Sequence, residues 1–322
     1  MREHLVLIPV FDGVQVLDVT GPFEVLAHAT KRLGDAPGYA VRLVAATPEP
    51  VTTDGGLKLV PDGPLPSSGE IGTLLVPGGA GARALTPADE LVGWLRNAAG
   101  RSARVVSVCT GAFPLAAAGV LDGHAAATHW QYAGQLASTY ARIDVQADPI
   151  FVRDGRIWTS AGVTAGIDLA LALVEADHGV DLAQHVAREL VVFLRRPGGQ
   201  SQYAGPMWTE PARKPGIREA QDLIHGRPEA DLRVPALAAH AGMSERHFSR
   251  EFTRALGYPP GDYVEQVRVD AARRLLESGP APVTAVAART GFGTAETMRR
   301  AFLRRLGVPP AHYRRHFAAG PS

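Results

Sequence analysis

The chain of 322 residues has little of what several protein classes require. Cys109 is the single cysteine, so no disulfide can form within the chain. No apolar run approaches the roughly 20 residues that a membrane helix needs. The apolar stretch near the start is closed by Asp12 without a small-residue cleavage site, so we expect a buried first strand and no signal peptide. These absences favour a cytoplasmic protein without a membrane partner.

Cofactor motifs are also scarce. The eleven histidines are scattered without the spacing of metal ligands, so the sequence predicts no metal. The glycine-rich segment GTLLVPGGAGAR lacks the lysine of a phosphate-binding P-loop. We therefore expect no bound cofactor.

The charges are distributed unevenly. The formal net charge is only +1, yet from Ile217 to the end there are 16 arginines, no lysine and 11 acidic residues, a net +5, against −4 for residues 1–216. A basic region joined to an acidic one indicates two domains with different partners. A charge of +5 is modest and also fits a solvated surface, so charge alone does not identify a nucleic-acid partner.

The first half alternates strand and helix patterns. The runs LVLIPVF, YAVRLVAAT, TLLVPGG and RVVSV are rich in branched apolar residues, and helical patterns separate them. This predicts an α/β domain with a parallel sheet covered by helices on both faces, over residues 1–195. A hairpin is expected about Asp154 and Gly155, followed by helices near 163–177 and 181–194.

A composition change marks the boundary between the two halves. Residues 196–216 hold four prolines and four glycines without helical periodicity, which predicts a linker. The remaining chain, 217–322, has helical patterns and no convincing strand, so we expect an all-α domain there.

This second domain contains an internal repeat. LAAHAGMSERHFSREFTRALGYPPGDY and VAARTGFGTAETMRRAFLRRLGVPPAHY match at a spacing of fifty residues, although the turn glycines Gly242 and Gly291 lie forty-nine apart. Each copy fits helix, glycine turn and second helix, with Ser244 and Thr294 as N-caps of the second helices. The pattern predicts two helix-turn-helix units, joined by one helix of about 25 Å that places them roughly one DNA turn apart.

The second helix of such a unit enters the major groove, so its exposed residues are candidates for DNA contact. In the first copy these are Arg246, Ser249 and Arg250; in the second they are Glu296, Thr297, Arg299 and Arg300. The alternative is a helical scaffold for protein binding, but such scaffolds need three or more repeats and the chain has two. Double-stranded DNA is therefore the expected partner.

The last hundred residues resemble the AraC/XylS family of transcription regulators, most specifically in VAARTGFG and RRAFLRRLGVPPAHYRRHF. In that family the first helix-turn-helix often dominates specificity. The acidic Glu296 departs from a purely basic reading surface and leaves the contribution of the second unit open.

Cys109 follows the strand RVVSV and precedes a helical segment, the arrangement of a nucleophile elbow. Helix amides there would lower the thiol pKa, and the turn formed by Gly78 and Gly79 could supply a further backbone donor. A buried, inert cysteine is the alternative, since free cysteines are commonly buried.

Residues 1–195 resemble the ThiJ/PfpI superfamily, a flavodoxin-like α/β fold of the class I glutamine amidotransferase type. FDGVQVLDVTGPFEVL, LLVPGG, SVCTGAF and ATHW carry the resemblance. It implies an elbow cysteine, Cys109, with Asp18 as acidic partner; Gly79, Thr110 and His129 complete the candidate pocket. His129 also fits a simple helix cap, which is the interpretation that we favour.

Together the two halves resemble GlxA-type regulators, which join a ThiJ/PfpI-like domain to an AraC-type domain. The resemblance implies a DNA-binding regulator whose first domain senses a small effector or forms a homodimer, rather than an enzyme. Two alternatives remain. One is a cysteine-dependent enzyme of the isocyanide hydratase or glyoxalase type. The other is a redox sensor, a hypothesis that the lack of a second cysteine weakens.

Overall fold

The computed structural model describes residues 3–194, 199–200 and 211–317. The chain divides into two compact units, Met1–Gln200 and Ser201–Ser322. Of the predicted linker 196–216, only 199–200 and 211–216 fall within the described residues. Its end overlaps the helical unit, because a helix already begins at Pro215 and Ala212 is buried in the core of that unit.

The first unit alternates strands with helices. Its strands are β1 (His4–Pro9), β2 (Tyr39–Ala45), β3 (Val51–Thr52), β4 (Lys58–Leu59), β5 (Gly63–Pro64), β6 (Ile71–Val76), β7 (Ser102–Ser107), β8 (Ala125–Ala126), β9 (Asp144–Val145), β10 (Phe151–Asp154) and β11 (Ile157–Ser160). Its helices are α1 (Val16–Leu33), α2 (Ala80–Ala84), α3 (Glu90–Gly100), α4 (Ala112–Ala117), α5 (Trp130–Thr139), α6 (Ala165–His178) and α7 (Val180–Glu189).

The main sheet has the strand order β10-β11-β7-β6-β1-β2-β5 among the described residues. Neighbouring strands run parallel except for the β10–β11 pair, whose turn includes Gly155 as predicted. Helices α1, α6 and α7 cover one face and α3 and α4 the other, which confirms the predicted α/β fold. Because both faces are covered, strands such as β1 are apolar nearly throughout.

The helix near the end of this unit is shorter than its sequence pattern predicts. It was expected to continue to about residue 194, but α7 ends at Glu189. Val191 adopts a φ of 55°, which a β-branched residue rarely does and which no α-helix accommodates. Val191 and Phe193 are 90% and 66% exposed.

The described part of the second unit is helical. It contains α8 (Pro215–Gly226), α9 (Val234–His240), α10 (Glu245–Leu256), α11 (Pro260–Glu277), α12 (Val283–Arg289), α13 (Ala295–Leu306) and α14 (Pro310–Phe317). Helix α11 contributes to two cores: Tyr263, Val264 and Val267 pack with α8 to α10, whereas Val269, Ala272 and Leu276 pack with α12 to α14. One helix thus connects the two halves of this unit.

Both predicted helix-turn-helix units are present, as α9–α10 and α12–α13. Ser244 and Thr294 cap α10 and α13 by accepting hydrogen bonds from the backbone N–H of His247 and Thr297. The residue inserted in the second copy lies in its turn, where Gly293 adopts a φ of 74°. In the parts of the chain that are described, no helix has the length and apolar character needed to cross a membrane.

Candidate functional site

Cys109 lies in a sharp turn between β7 and α4. Its φ is 57°, a left-handed conformation that is unfavourable for a residue with a side chain. The turn packs tightly against the end of β6, since a Cβ atom added to Gly111 would lie 2.1 Å from the Val76 carbonyl oxygen. The predicted elbow is therefore present and strained.

Asp18, in the first turn of α1, is fully buried beside this elbow. Its Oδ2 atom accepts a hydrogen bond from the Gly78 N–H at 2.9 Å. Burial raises the pKa of Asp18 to about 7, although the Gly78 N–H and the Cys109 thiol, both acting as donors, partly oppose that rise. The Oδ1 atom nevertheless has no partner with complete hydrogen-bond geometry among the described residues. The topology therefore brings together the two side chains that the resemblance paired.

The expectation of a lowered thiol pKa is wrong. Burial, followed by the neighbouring Asp18 carboxyl, raises the pKa of the Cys109 thiol to about 12. The backbone N–H groups of Val163 and Thr110 and the Thr110 hydroxyl lower it, as helix amides would, but by less than burial raises it. Cys109 is only 6% exposed, and its raised pKa favours the protonated thiol near neutral pH.

The glycine turn after β6 does not offer the free donor that the sequence suggested. The Gly78 N–H is bonded to Asp18, and the Gly79 N–H donates to the Thr110 hydroxyl at 2.9 Å. Both amides are satisfied inside the protein, so neither is available to a substrate oxyanion without rearrangement. Thr110 thus connects the elbow to the glycine turn.

His129 occupies the N-cap of α5. Its ring nitrogen Nδ1 accepts a hydrogen bond from the Gln131 N–H at 3.2 Å, the capping role that we favoured. The ring packs closely against Gly162, where an added Cβ would lie 2.0 Å from the imidazole Cδ2. Burial and then Arg83 lower the pKa of His129, so it is neutral at physiological pH.

Two open surface cavities of about 460 and 320 Å³ lie away from Cys109 and Asp18. The larger includes Arg96 and Arg142, and the smaller includes Arg104 and Trp158. No group of three or more histidine, cysteine, aspartate or glutamate side chains suited to a metal ion occurs in the described parts of the chain.

Helix α10 exposes two of its predicted DNA contacts fully and one partly. Arg246 and Arg250 are exposed, whereas Ser249 is half-buried. Arg250 makes only loose contacts, at 3.2 Å to the His247 ring and 3.6 Å to Glu251. On the opposite side Phe248 and Phe252 are fully buried, so packing fixes which face is presented.

Helix α13 exposes the same face with a different charge pattern. Glu296, Thr297, Arg299 and Arg300 are all exposed. Glu296 accepts two hydrogen bonds from Arg299, at 2.7 and 2.9 Å, and lies 3.9 Å from Arg300. Part of the positive charge of α13 is therefore neutralised within the helix.

Sequence reasoning missed three residues next to the elbow. The N–H of Val163 interacts with the Cys109 sulfur. The Thr128 hydroxyl donates to the Cys109 carbonyl at 2.8 Å, and Gln200 donates to the Thr128 carbonyl at 2.9 Å. Of the three, Thr128 lies within the ATHW motif that carries the ThiJ/PfpI resemblance, so the sequence did contain a signal for it.

Comparison with known families divides the chain as the fold does. Residues 4–176 match the DJ-1/PfpI family, and residues 237–316 match a helix-turn-helix domain family of the AraC type. The first match spans more than half of the chain, and the second runs from within α9 into α14 and so covers most of the first helix-turn-helix unit and all of the second.

Individual relatives agree with this division. The HTH-type transcriptional regulator Rv1931c of Mycobacterium tuberculosis is 37% identical, over 77% of this chain and 96% of that protein. An isonitrile hydratase of Pseudomonas putida is 41% identical, over 56% of this chain and 75% of that protein. A crystal structure of a ThiJ/PfpI family protein from Pseudomonas syringae has a TM-score of 0.52 and 26% identity, over 76% of this chain and 92% of that one. The chain belongs to the DJ-1/PfpI family and, through its second unit, is an AraC-type helix-turn-helix transcription regulator.

Proposed function

We propose that the second unit binds specific DNA sequences through α10 and α13, and that a small ligand held near Cys109 and Asp18 in the first unit modulates this binding. The observation that carries the proposal is the pair of matching helix-turn-helix units with exposed arginines on their second helices. Arginine recognises guanine through two hydrogen bonds in the major groove, so these side chains suit base reading.

Helix α10 is the stronger candidate for base reading. Arg246 and Arg250 have no tight ion pair among the described residues, so little must be broken before they contact bases. In α13 the paired arginines must first exchange Glu296 for a phosphate or a base. We therefore assign most of the specificity to Arg246, Ser249 and Arg250 and a supporting part to Glu296, Thr297, Arg299 and Arg300.

The DNA-binding proposal is tested with a fragment that starts at Pro211, because Ala212 belongs to the helical core and its N–H donates to Gln221. We expect the fragment and the full-length chain to select the same sequence from fragmented genomic DNA. Their affinities should fall steeply with salt, since each phosphate contact releases counterions. Absence of DNA binding by both proteins at low salt would refute the proposal.

We propose ligand binding rather than rapid turnover for the first unit. A fully buried carboxyl oxygen without a complete hydrogen bond, Asp18 Oδ1, is costly unless a ligand or water satisfies it. Burial and the neighbouring Asp18 carboxyl raise the pKa of the Cys109 thiol, which disfavours the thiolate that nucleophilic attack requires. A bound ligand biases two domain arrangements only while it remains bound, which suits slow release.

Hydration of isonitriles is the competing function, and the 41% identity to an isonitrile hydratase favours it. The two functions separate in one assay series on the full-length chain, its Cys109→Ser variant and its Asp18→Asn variant. Efficient isonitrile turnover that is lost in Cys109→Ser would establish the enzymatic function and refute the sensor proposal. Metabolites that raise the melting temperature without turnover, and change DNA affinity, would support the sensor.

We further propose that the chain acts as a homodimer through its first unit. The exposed apolar side chains of Val191 and Phe193 favour a protein contact close to the end of the first unit. Sedimentation equilibrium of the full-length chain tests this, and Phe193→Ser should weaken any dimer. A monomer at micromolar concentration would refute it.

A further inference from the structure

Gln200 is the last residue of the first unit and is almost fully buried, at 2% exposure. A buried glutamine must satisfy one acceptor and two N–H donors. Its Oε1 accepts from the Trp130 N–H at 2.8 Å, and its Nε2 donates to the carbonyls of Thr128 and Pro149 at 2.9 and 3.1 Å. The amide is fully used, in a combination that neither glutamate nor lysine can reproduce.

The backbone on both sides of this contact is fitted closely to the first unit. The Gln200 N–H donates to the Asp148 carbonyl at 2.7 Å. A Cβ added to Gly199 would lie 2.4 Å from the Asp148 carboxylate, so the chain approaches here because residue 199 is glycine. The segment that leads into the second unit is therefore anchored at a defined point.

A single residue, Thr128, connects Gln200 to the backbone of Cys109. Thr128 receives Gln200 on its carbonyl and donates its hydroxyl to the Cys109 carbonyl. The next residue, His129, packs on Gly162, and the adjacent Val163 directs its N–H to the Cys109 sulfur. A displacement of the 128–130 turn thus alters both the elbow and the anchor.

We propose that Gln200 couples the Cys109 site to the interdomain segment: its hydrogen bonds anchor that segment, and a ligand that displaces the 128–130 turn weakens the anchor. The proposal rests on the proposed ligand-sensing function, to which it adds the route. The coupling free energy between two sites is reciprocal. Breaking the anchor therefore changes the ligand affinity of the Cys109 site by the same factor as a bound ligand changes the equilibrium of the anchor.

The single cysteine provides a specific readout on the full-length chain. Iodoacetamide can alkylate one thiol only, and intact-mass measurement gives its rate. We expect Gln200→Ala and Gln200→Glu to raise that rate at least about fivefold, because each leaves buried partners unsatisfied and increases local opening. Gln135→Ala, an exposed glutamine on α5, is the matched control and should keep the rate of the unaltered chain.

The reverse arm needs no substitution at position 200. Trypsin cleavage after Arg195 is followed before and after alkylation of Cys109, because the alkyl group is a permanent occupant of the site. We expect alkylation to accelerate this cleavage, with Cys109→Ser unaffected by the reagent. Gln200→Ala should already be cleaved quickly and should not respond further.

The coupling is refuted if both Gln200 variants are alkylated at the original rate, or if alkylation leaves cleavage of the interdomain segment unchanged. Neither readout involves DNA or an effector. Loss of DNA binding in the earlier experiments would therefore remove the proposed function alone, whereas intact DNA binding without coupling would remove this inference alone.

Discussion

Glu296 and Arg299 form an ion pair with two hydrogen bonds on the exposed face of α13. Counted from the N-cap residues Ser244 and Thr294, Glu296 occupies the position that Arg246 occupies in α10. The two helices thus have the same shape and opposite charge at an equivalent point. This asymmetry makes the two units unequal toward DNA.

Removing the negative charge at Glu296 should strengthen DNA binding. In Glu296→Gln, Arg299 and Arg300 lose their carboxylate partner and become available to phosphates. We expect affinity to rise about threefold to tenfold at low salt, and the slope of log affinity against log salt to steepen by about one. Fluorescence anisotropy at several salt concentrations measures both quantities. Glu219→Gln, the same charge change on α8, should have little effect. An equal gain in affinity there would indicate that the net charge of the protein, and not the position of Glu296, determines the effect.

Substitution of the α10 arginines should impair specific binding more than general binding. Arg246→Ala and Arg250→Ala are each expected to lose about 1 to 3 kcal/mol on the selected sequence and clearly less on random DNA. Competition binding with the two DNAs gives the ratio. Equal losses on both would reassign these side chains to phosphate contact. Arg227→Ala, exposed before α9, serves as the control.

Asp18 should make the stability of the first unit depend on pH. Its folded pKa of about 7 lies above the ordinary value, so protonation stabilises the folded form. That contribution is complete below about pH 4, is lost as the pH rises toward 7, and is absent above it. We expect Asp18→Asn to raise the free energy of unfolding at pH 8 by up to about 4 kcal/mol and to leave it nearly unchanged at pH 4.

Urea unfolding of the full-length chain at the two pH values, followed by tryptophan fluorescence, measures this difference, because Trp94, Trp130 and Trp158 belong to the first unit and only Trp208 to the second. Asp35→Asn, at an exposed position, provides the control. A stabilisation of Asp18→Asn that is equal at pH 4 and pH 8 would contradict the assignment, because it would not arise from ionisation.

Gly293, the residue inserted into the second helix-turn-helix, should be sensitive to substitution. Its left-handed φ of 74° disfavours any side chain, although no atom lies within 4 Å of an added Cβ. Gly293→Ala is expected to cost about 1 to 2 kcal/mol of stability in the second unit. Gly279→Ala has equal space without the left-handed φ and should cost less in the same denaturation experiment. Equal losses of stability in the two variants would show that the left-handed φ of Gly293 is not the cause.

Much of the architecture follows from periodicity and turn chemistry. The apolar strands, the alternation with helices and the fifty-residue repeat are local patterns, and Phe248 and Met298 fall on buried faces as helical spacing requires. Each helix-turn-helix could be predicted because caps, turn glycines and apolar positions agree within a short segment.

The chemistry of the Cys109 site could not be predicted in the same way. The thiol pKa depends on burial, which is a sum over distant elements, and it outweighs the helix amides that the local sequence suggests. The occupied amides of Gly78 and Gly79 depend on Asp18 and Thr110, which lie 60 and 31 residues away in the chain. Gln200 acquires its role only when the fold brings it to Thr128.

Helix α11 is shared by the two cores of the second unit and therefore constrains the spacing of the two DNA stretches that the unit can contact. With Tyr263 buried on one side and Leu276 on the other, neither core can rotate about this helix without exposing apolar surface. Inserting five base pairs between the two contacted stretches would turn the second one by about half a helical turn, to the far face of the duplex. The protein can follow such a change only by releasing one contact, so natural target sites should keep one fixed helical phase between the two stretches.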